Sequence, residues 1–240
     1  MPTPRAIDVA FDFRLDTPTG KDPDALSPKL HGYHHLLWSK SLPCGIHFKL
    51  LDTRPKGYLQ HRSALGEFVL SSDSVIPSFR KERRLSDVFA SIAAEEQGAF
   101  LATTYTIGGM MVFPSNVIDR KMTINGARGC HPRIKDRFDL TVECIRRYYA
   151  GAQSPLSETL TRYASFFELF ENFRGYVDFF LLQDIVTDDY AAVRFHMPFE
   201  GFDNSPLPSD LDAYLSYKQS ATQFIHARNK RILGFAAFES

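Results

Sequence analysis

A chain of 240 residues, 44% of them hydrophobic, is long enough to bury a large core without disulfide or metal staples. Lys plus Arg and Asp plus Glu balance at 28 each. That balance excludes a global basic field for coating nucleic acid, so any anion site must be local.

No apolar run reaches the roughly 18 residues of a membrane-spanning helix, and the N-terminal stretch has no apolar h-region. Cys44, Cys130 and Cys144 show no CxxC spacing, and an odd count without a leader points to free thiols and a cytoplasmic location. The 21 Phe and 10 Tyr read mostly as core material, because rings bury large areas.

In chain order, residues 6–15 (AIDVAFDFRL) alternate as a strand with one buried face. Residues 16–28 read as loop from their Pro, Gly and Asp content. Residues 29–40 (KLHGYHHLLWSK) predict a short helix with His31, His34 and His35 at i, i+3 and i+4. That spacing suits half of a metal site. No cysteine or carboxylate cluster is fixed beside it, so a partly buried pair and one exposed ring are expected, and no metal is assigned. Residues 46–52 predict a second strand, 54–57 a turn, and 58–63 with 66–71 a strand pair. Ser71 to Ser74 (SSDS) then serve as turn or cap residues.

The basic run at 77–84 (PSFRKERR) is expected to be solvated. Ser86 and Asp87 start a helix, and residues 93–104 continue helical with a break near Gly98. Gly108-Gly109 turns the chain into a short apolar strand ending at Pro114. Residues 132–149 predict a helix with Phe138, Val142, Ile145 and Tyr149 facing the core. Its opposite side, with Asp136, Asp139, Glu143, Arg146 and Arg147, is expected to be solvated and self-paired.

Ser154-Pro155 starts the next helix. Residues 176–186 (YVDFFLLQDIV) predict a central buried helix whose Asp178 and Asp184 need partners; an arginine of 123–149 is a natural one, Arg128 in the reading that makes it structural. Residues 193–199 read as an edge strand. A long helix follows Ser209 over 210–231, its last turns carrying Arg228, Lys230 and Arg231. Helices outweigh strands, so the expected fold is α+β: one mainly helical domain over 1–240 with a small antiparallel sheet.

Several stretches carry a resemblance: LSSDS (70–74), YTIGGMMVFP (105–114), TINGARG (123–129), KDRFDLTVECIRRYY (135–149), GYVDFFLLQD (175–184) and FIHARNKRI (224–232). With KDPDALSPKLHGYHHLLWSKSLPCG near the start, the chain resembles a family of uncharacterised bacterial proteins described as a domain of unknown function. The resemblance runs nearly end to end, which implies one domain, and implies no activity.

Polar chemistry concentrates at 123–149. Glycines flank Arg128 just before a predicted helix start, an arrangement suited to phosphate or carboxylate. Asn125, Arg128, Arg133 and Arg137 are the candidate ligand contacts. His131, Asp136 and Asp139 are the candidate acid–base groups. No P-loop, GxGxxG, HExxH or GxSxG motif occurs, and no cofactor or oligomeric state is specified.

The leading expectation is a protein that binds or acts on a phosphate-bearing ligand, a nucleotide or nucleic-acid end. Two alternatives stand beside it. One is a non-catalytic interaction or regulatory protein in which Arg128 is structural. The other is an ADP-ribosyl-transfer-like enzyme built on Gln60-His61-Arg62, Ser71 to Ser74 and a later glutamate.

Overall fold

In the computed structural model, which describes residues 7–52 and 59–238, two proline-initiated helices open the chain. Asp22 caps α1 (Pro23–Leu26) by accepting from the Asp24 amide, and Ser27 caps α2 (Pro28–Trp38) by accepting from Leu30. Both have Pro at the first helical position, where its missing N–H costs nothing. The content that read as loop over 16–28 is thus a helix-start signal used twice. Asp16 fixes this entry, accepting from Ser27 Oγ at 2.6 Å and the Lys29 amide at 2.9 Å.

β1 (Lys40–Ser41) pairs antiparallel with β2 (His47–Phe48). A second antiparallel sheet has the order β3 (Leu51–Asp52), β4 (Leu59–Ser63), β5 (Gly66–Ser74) and β6 (Met110–Pro114). Its register sets Leu59 opposite Leu70, and Asp73 opposite Met111. Between β5 and β6 lie α3 (Ser86–Ala90) and α4 (Ala94–Thr104).

The helical half follows as α5 (Ile124–Cys130), α6 (Phe138–Tyr149), α7 (Ser157–Arg162), α8 (Ala164–Glu168), α9 (Phe173–Phe179) and α10 (Leu211–Phe238). The fold is α+β, mainly helical, and one continuous hydrophobic core runs from Ile7 to Ile232. Trp38, Phe166, Phe170, Tyr176, Phe179 and Phe180 interlock at its centre, the Trp38 and Phe180 rings 5.3 Å apart. No helix among the described residues is long and apolar enough to cross a membrane.

α10 is tied to the sheet through the Gly-Gly turn. The Gly108 amide donates to Asn229 Oδ1 at 2.7 Å. Arg228, fully buried, donates to the carbonyls of Gly108, Met110 and Phe180 at 2.7–3.1 Å. A Cβ at Gly108 would sit 2.5 Å from the Ile225 carbonyl oxygen, so only glycine lets the two backbones approach this closely. Arg228 is therefore an internal clamp for carbonyls, and the helix expected to end near it continues to Phe238.

Several expectations are corrected. Residues 7–15 form no strand: Asp12 accepts from the Arg14 amide and starts a 3-10 turn over Phe13–Asp16. The strand expected over 46–52 is split into β2 and β3. Ser71 to Ser74 continue β5, because β6 supplies ladder partners as far as Ser74. α4 runs through Gly98 unbroken.

The helix expected over 132–149 begins only at Phe138, and Asn125 to Gly129 lie inside α5. The start expected at Ser154-Pro155 falls at Ser157. α9 stops at Phe179, where Arg228 takes the Phe180 carbonyl and Leu181 turns left-handed with φ 54°. Residues 193–199 contribute one isolated bridge, Val193 to Val186. The turn at 54–57 lies outside the described residues.

The charged side of α6 divides. Glu143 pairs with Arg146 and Arg147 as expected, each at 2.8 Å, although Glu143 itself is buried. Asp139 is fully buried against Arg137. Arg128 partners neither Asp178 nor Asp184, both expected to be buried and both part-exposed. Asp178 takes Arg174, Gln183 and Tyr190, and Asp184 takes Arg231 at 2.9 Å.

Candidate functional site

A cavity of about 700 Å3 opens where the end of β5, the segment after it, the end of α4 and the link from α5 to α6 meet α1. Its carboxylates are Asp24, Asp73, Asp136 and, paired with Lys135, Glu82. Arg80, Lys81 and Lys135 also line it, and Phe79, Leu101 and Tyr105 supply apolar wall.

β5 places Asp73 because its ladder with β6 carries regular extended backbone to Ser74. The N-cap of α1 places Asp24, whose Oδ1 accepts from Ser72 Oγ and whose Oδ2 accepts from the Ser74 amide, both at 3.2 Å. Asp136 is set by backbone: Lys135 and Asp136 are both left-handed, with φ 48° and 66°, and Phe79 across the cavity has φ 57°. Non-glycine residues in that region carry strain that packing must hold, and such residues cluster at functional sites. Lys135 Nζ meets Glu82 Oε1 at 3.1 Å and ties the two walls together.

Arg128 lies fully buried behind these carboxylates. Its Nη1 reaches Asp73 Oδ2 and, at 2.6 Å, Asp136 Oδ1. Nη2 donates to the carbonyls of Val75 and Asp136, and Nε donates to Thr141 Oγ1. Four of its five guanidinium N–H groups donate hydrogen bonds within the fold, and Nη1 is also ion-paired with Asp136. Arg128 therefore organises the carboxylates from behind.

Two carboxylates on one guanidinium, with Asp24 beside them, cannot all ionise freely. Burial pushes Asp73 up to about 8 against the pull of Arg128, with Asp136 and Asp24 adding to the rise. Burial and Asp22 push Asp24 up to about 6, partly offset by its hydrogen bonds from Ser74 and Ser72. The cluster thus holds an exchangeable proton near neutral pH, a property suited to acid–base chemistry.

The other sequence candidates are placed elsewhere. Asn125 Nδ2 donates to Ser71 Oγ at 3.2 Å, and its Oδ1 is buried with no hydrogen-bond partner among the described residues. His131 ends α5, and its Nδ1 accepts from the Arg133 amide. Burial beside Arg133 lowers its pKa. Arg133 is exposed and pairs with Asp203 at 3.1 Å.

Arg137 and Asp139 form a buried ion pair that also holds the His196 amide and the Pro206 carbonyl. Burial opposes ionisation of Asp139, but Arg137 outweighs it and the carboxyl ends below its ordinary range. Of the seven candidates, Asp136 alone lines the cavity, with Arg128 directly behind it.

Asp24 and Tyr105 are not among the sequence candidates, Asp73 enters only within the Ser71 to Ser74 stretch, and Arg80 and Lys81 are exposed as expected of a solvated run. The available signal was the polar Ser71 to Ser74 stretch continuing directly from the buried Leu70. His31, His34 and His35 do not form a metal face, since His34 is fully buried against Trp38 and Ser72. Among the described residues, no group of three or more His, Cys, Asp or Glu side chains is arranged to hold a metal ion. His61 stacks on Phe48 at 4.0 Å, and its ring nitrogens meet Lys49 and Ser63, away from the cavity lining.

No curated protein matches the chain, and no solved structure does. A family model, described as a family of unknown function (DUF6994), matches residues 7–232. The chain belongs to that family, DUF6994.

Proposed function

We propose that this protein binds a phosphate-bearing ligand of nucleotide size in the Asp24–Asp73–Asp136 cavity. The observation that carries the reading is the polarity gradient across one cavity of about 700 Å3, from exposed Arg80 and Lys81 to carboxylates backed by Arg128. Neither Arg80 nor Lys81 has an ion-pair partner among the described residues, so both can meet phosphate. The carboxylates repel phosphate and accept from hydroxyl or amino groups, which sets the ligand's direction: anion at the mouth, donors inside. A nucleotide carries both kinds of group, and the volume is within the range of small-molecule sites.

Asp136 and Arg128 thus keep a part in the reading, Arg128 as an organiser. A bacterial cytoplasmic setting belongs to the same proposal, and exposed Cys44 and Cys130 are compatible with a reducing compartment.

The test is a thermal-shift panel of nucleoside mono-, di- and triphosphates on wild type and on Arg80→Ala/Lys81→Ala. Stabilisation of wild type by a panel member, lost in the double variant with its unliganded Tm unchanged, is the expected result. Equal stabilisation of both proteins, or of neither, sinks the reading. The interaction-protein alternative gains from one observation: Arg128 is fully buried and hydrogen-bonded to four partners inside the fold.

A further inference from the structure

One side of the cavity is wired to the core through a hydrogen-bond chain that can run in only one direction. Trp38 Nε1 can only donate, and it donates to His34 Nδ1 at 2.9 Å. An Nδ1 that accepts leaves the ring proton on Nε2. His34 is fully buried, and burial holds its pKa well below the ordinary histidine range, so the ring is neutral. Nε2–H therefore donates to Ser72 Oγ at 2.9 Å. With that lone pair used, the Ser72 hydroxyl proton points to Asp24 Oδ1.

The pair His34–Ser72 resembles a base and its nucleophile, but the tautomer forbids that role. Nε2 already carries a proton and cannot take another from Ser72 while Trp38 occupies Nδ1. What the chain does is aim a donor at Asp24. The Ser74 amide aims a second donor at the other oxygen. Asp24 is thereby held by its inner lone pairs, with its remaining ones toward the cavity it lines.

We propose that Asp24 is the hydrogen-bond-accepting carboxylate of the cavity, oriented by the relay Trp38–His34–Ser72, with His34 as a positioning residue. This rests on the nucleotide reading for its substrate class, a hydroxyl group of a phosphate-bearing ligand. The ligand hydroxyl donates to ionised Asp24, and no covalent bond is made or broken. The titratable groups facing Asp24 are Asp22 on the α1 cap, Asp73 on β5, Asp136 beyond α5, and the neutral phenol of Tyr105 after α4. Burial first, then the charges of Asp22 and Asp136, disfavour ionised Asp24, and the Ser74 and Ser72 donors oppose them.

The first measurement needs no variant: 15N spectra of histidine-labelled full-length protein. His34 with protonated Nε2 and bare Nδ1 is expected, and the opposite tautomer overturns the relay. The second is a 13C titration of Asp24, assigned through Asp24→Asn, in wild type, Ser72→Ala and His34→Gln. Ser72→Ala should raise the midpoint by about one unit as a donor is lost. His34→Gln, which can accept from Trp38 and donate to Ser72, should leave it near the wild-type value.

An unmoved midpoint in Ser72→Ala overturns the inference even if nucleotides bind. Adenosine 5′-monophosphate affinity should weaken as pH falls through the Asp24 midpoint, and this profile should move to higher pH in Ser72→Ala. Binding that is independent of pH removes Asp24 as the acceptor. If the relay measurements succeed and no nucleotide binds, the ligand assignment fails and takes the acceptor role with it, leaving only a structural relay.

Discussion

Arg128 and Asp136 hold each other three ways: the guanidinium reaches both the side-chain carboxylate and the main-chain carbonyl of Asp136, while the Asp136 amide donates to the Arg128 carbonyl at 3.0 Å. This closed ring keeps Asp136 in its left-handed conformation and aims its carboxylate into the cavity. Because Arg128 is wholly buried, removing it leaves Asp73 and Asp136 without their shared cation. Arg128→Ala should cost about 3–5 kcal/mol in urea unfolding. Arg128→Lys should recover little, since an ammonium cannot serve five directions from one plane. A stable Arg128→Ala protein would contradict the organising role.

The carboxylate cluster predicts a sign for pH. Asp73 titrates at about 8 in the folded protein, against about 3.9 when unfolded. Below the unfolded value both states are protonated and nothing differs. Between about 4 and 8 the folded state retains the extra proton, so this residue's contribution to stability falls as pH rises, and above 8 the loss is constant. Asp73→Asn removes that titration. The variant should gain on wild type steadily from pH 5 to pH 8 in urea unfolding, by more than about 1 kcal/mol. A difference that stays flat or shrinks would show that Asp73 is ionised throughout.

Two glycines separate close approach from mere flexibility. Gly108→Ala puts a Cβ against the backbone of α10 and should destabilise by roughly 1–3 kcal/mol. Gly98 is exposed within α4 and has nothing within 4 Å of an added Cβ. Gly98→Ala should stabilise by about 0.5–1 kcal/mol, the cost of glycine in a helix interior. Thermal unfolding of the pair checks both signs, and a tolerated Gly108→Ala would mean that α10 sits further from the turn.

The same pair shows what was legible in the sequence. Apolar periodicity located the body of α6, whose Phe138, Val142 and Ile145 are buried on one face. It failed where a polar group decided the local backbone. Ile7, Val9, Phe11 and Phe13 alternate like a strand, but Asp12 caps a turn among them. The apolar run at 176–186 cannot reveal that Arg228, more than forty positions later, takes the Phe180 carbonyl.

The site was legible only at Asp136 and Arg128. Asp73 lies 55 residues before Arg128 and reaches it from the end of β5, and Asp24 lies 48 residues before Ser72 and is held to that strand from α1. Local spacing holds no record of such a meeting.

Arg137 and Asp139 give the sharpest test of structural against ligand-facing charge. Their side chains are 2% and 0% exposed, and Asp139 also accepts the His196 amide at 2.9 Å. Removing one partner strands a buried charge, so Arg137→Met should destabilise by about 3–5 kcal/mol. Removing both, as Arg137→Met/Asp139→Leu, eliminates that stranded charge. The double variant should recover part of the loss, leaving the unanswered His196 amide as a remaining cost of roughly 1–3 kcal/mol. Urea unfolding of both singles and the double closes the cycle. If Arg137→Met keeps wild-type stability yet loses nucleotide-dependent stabilisation, then Arg137 contacts ligand, and the cavity extends beyond Asp136 toward α6.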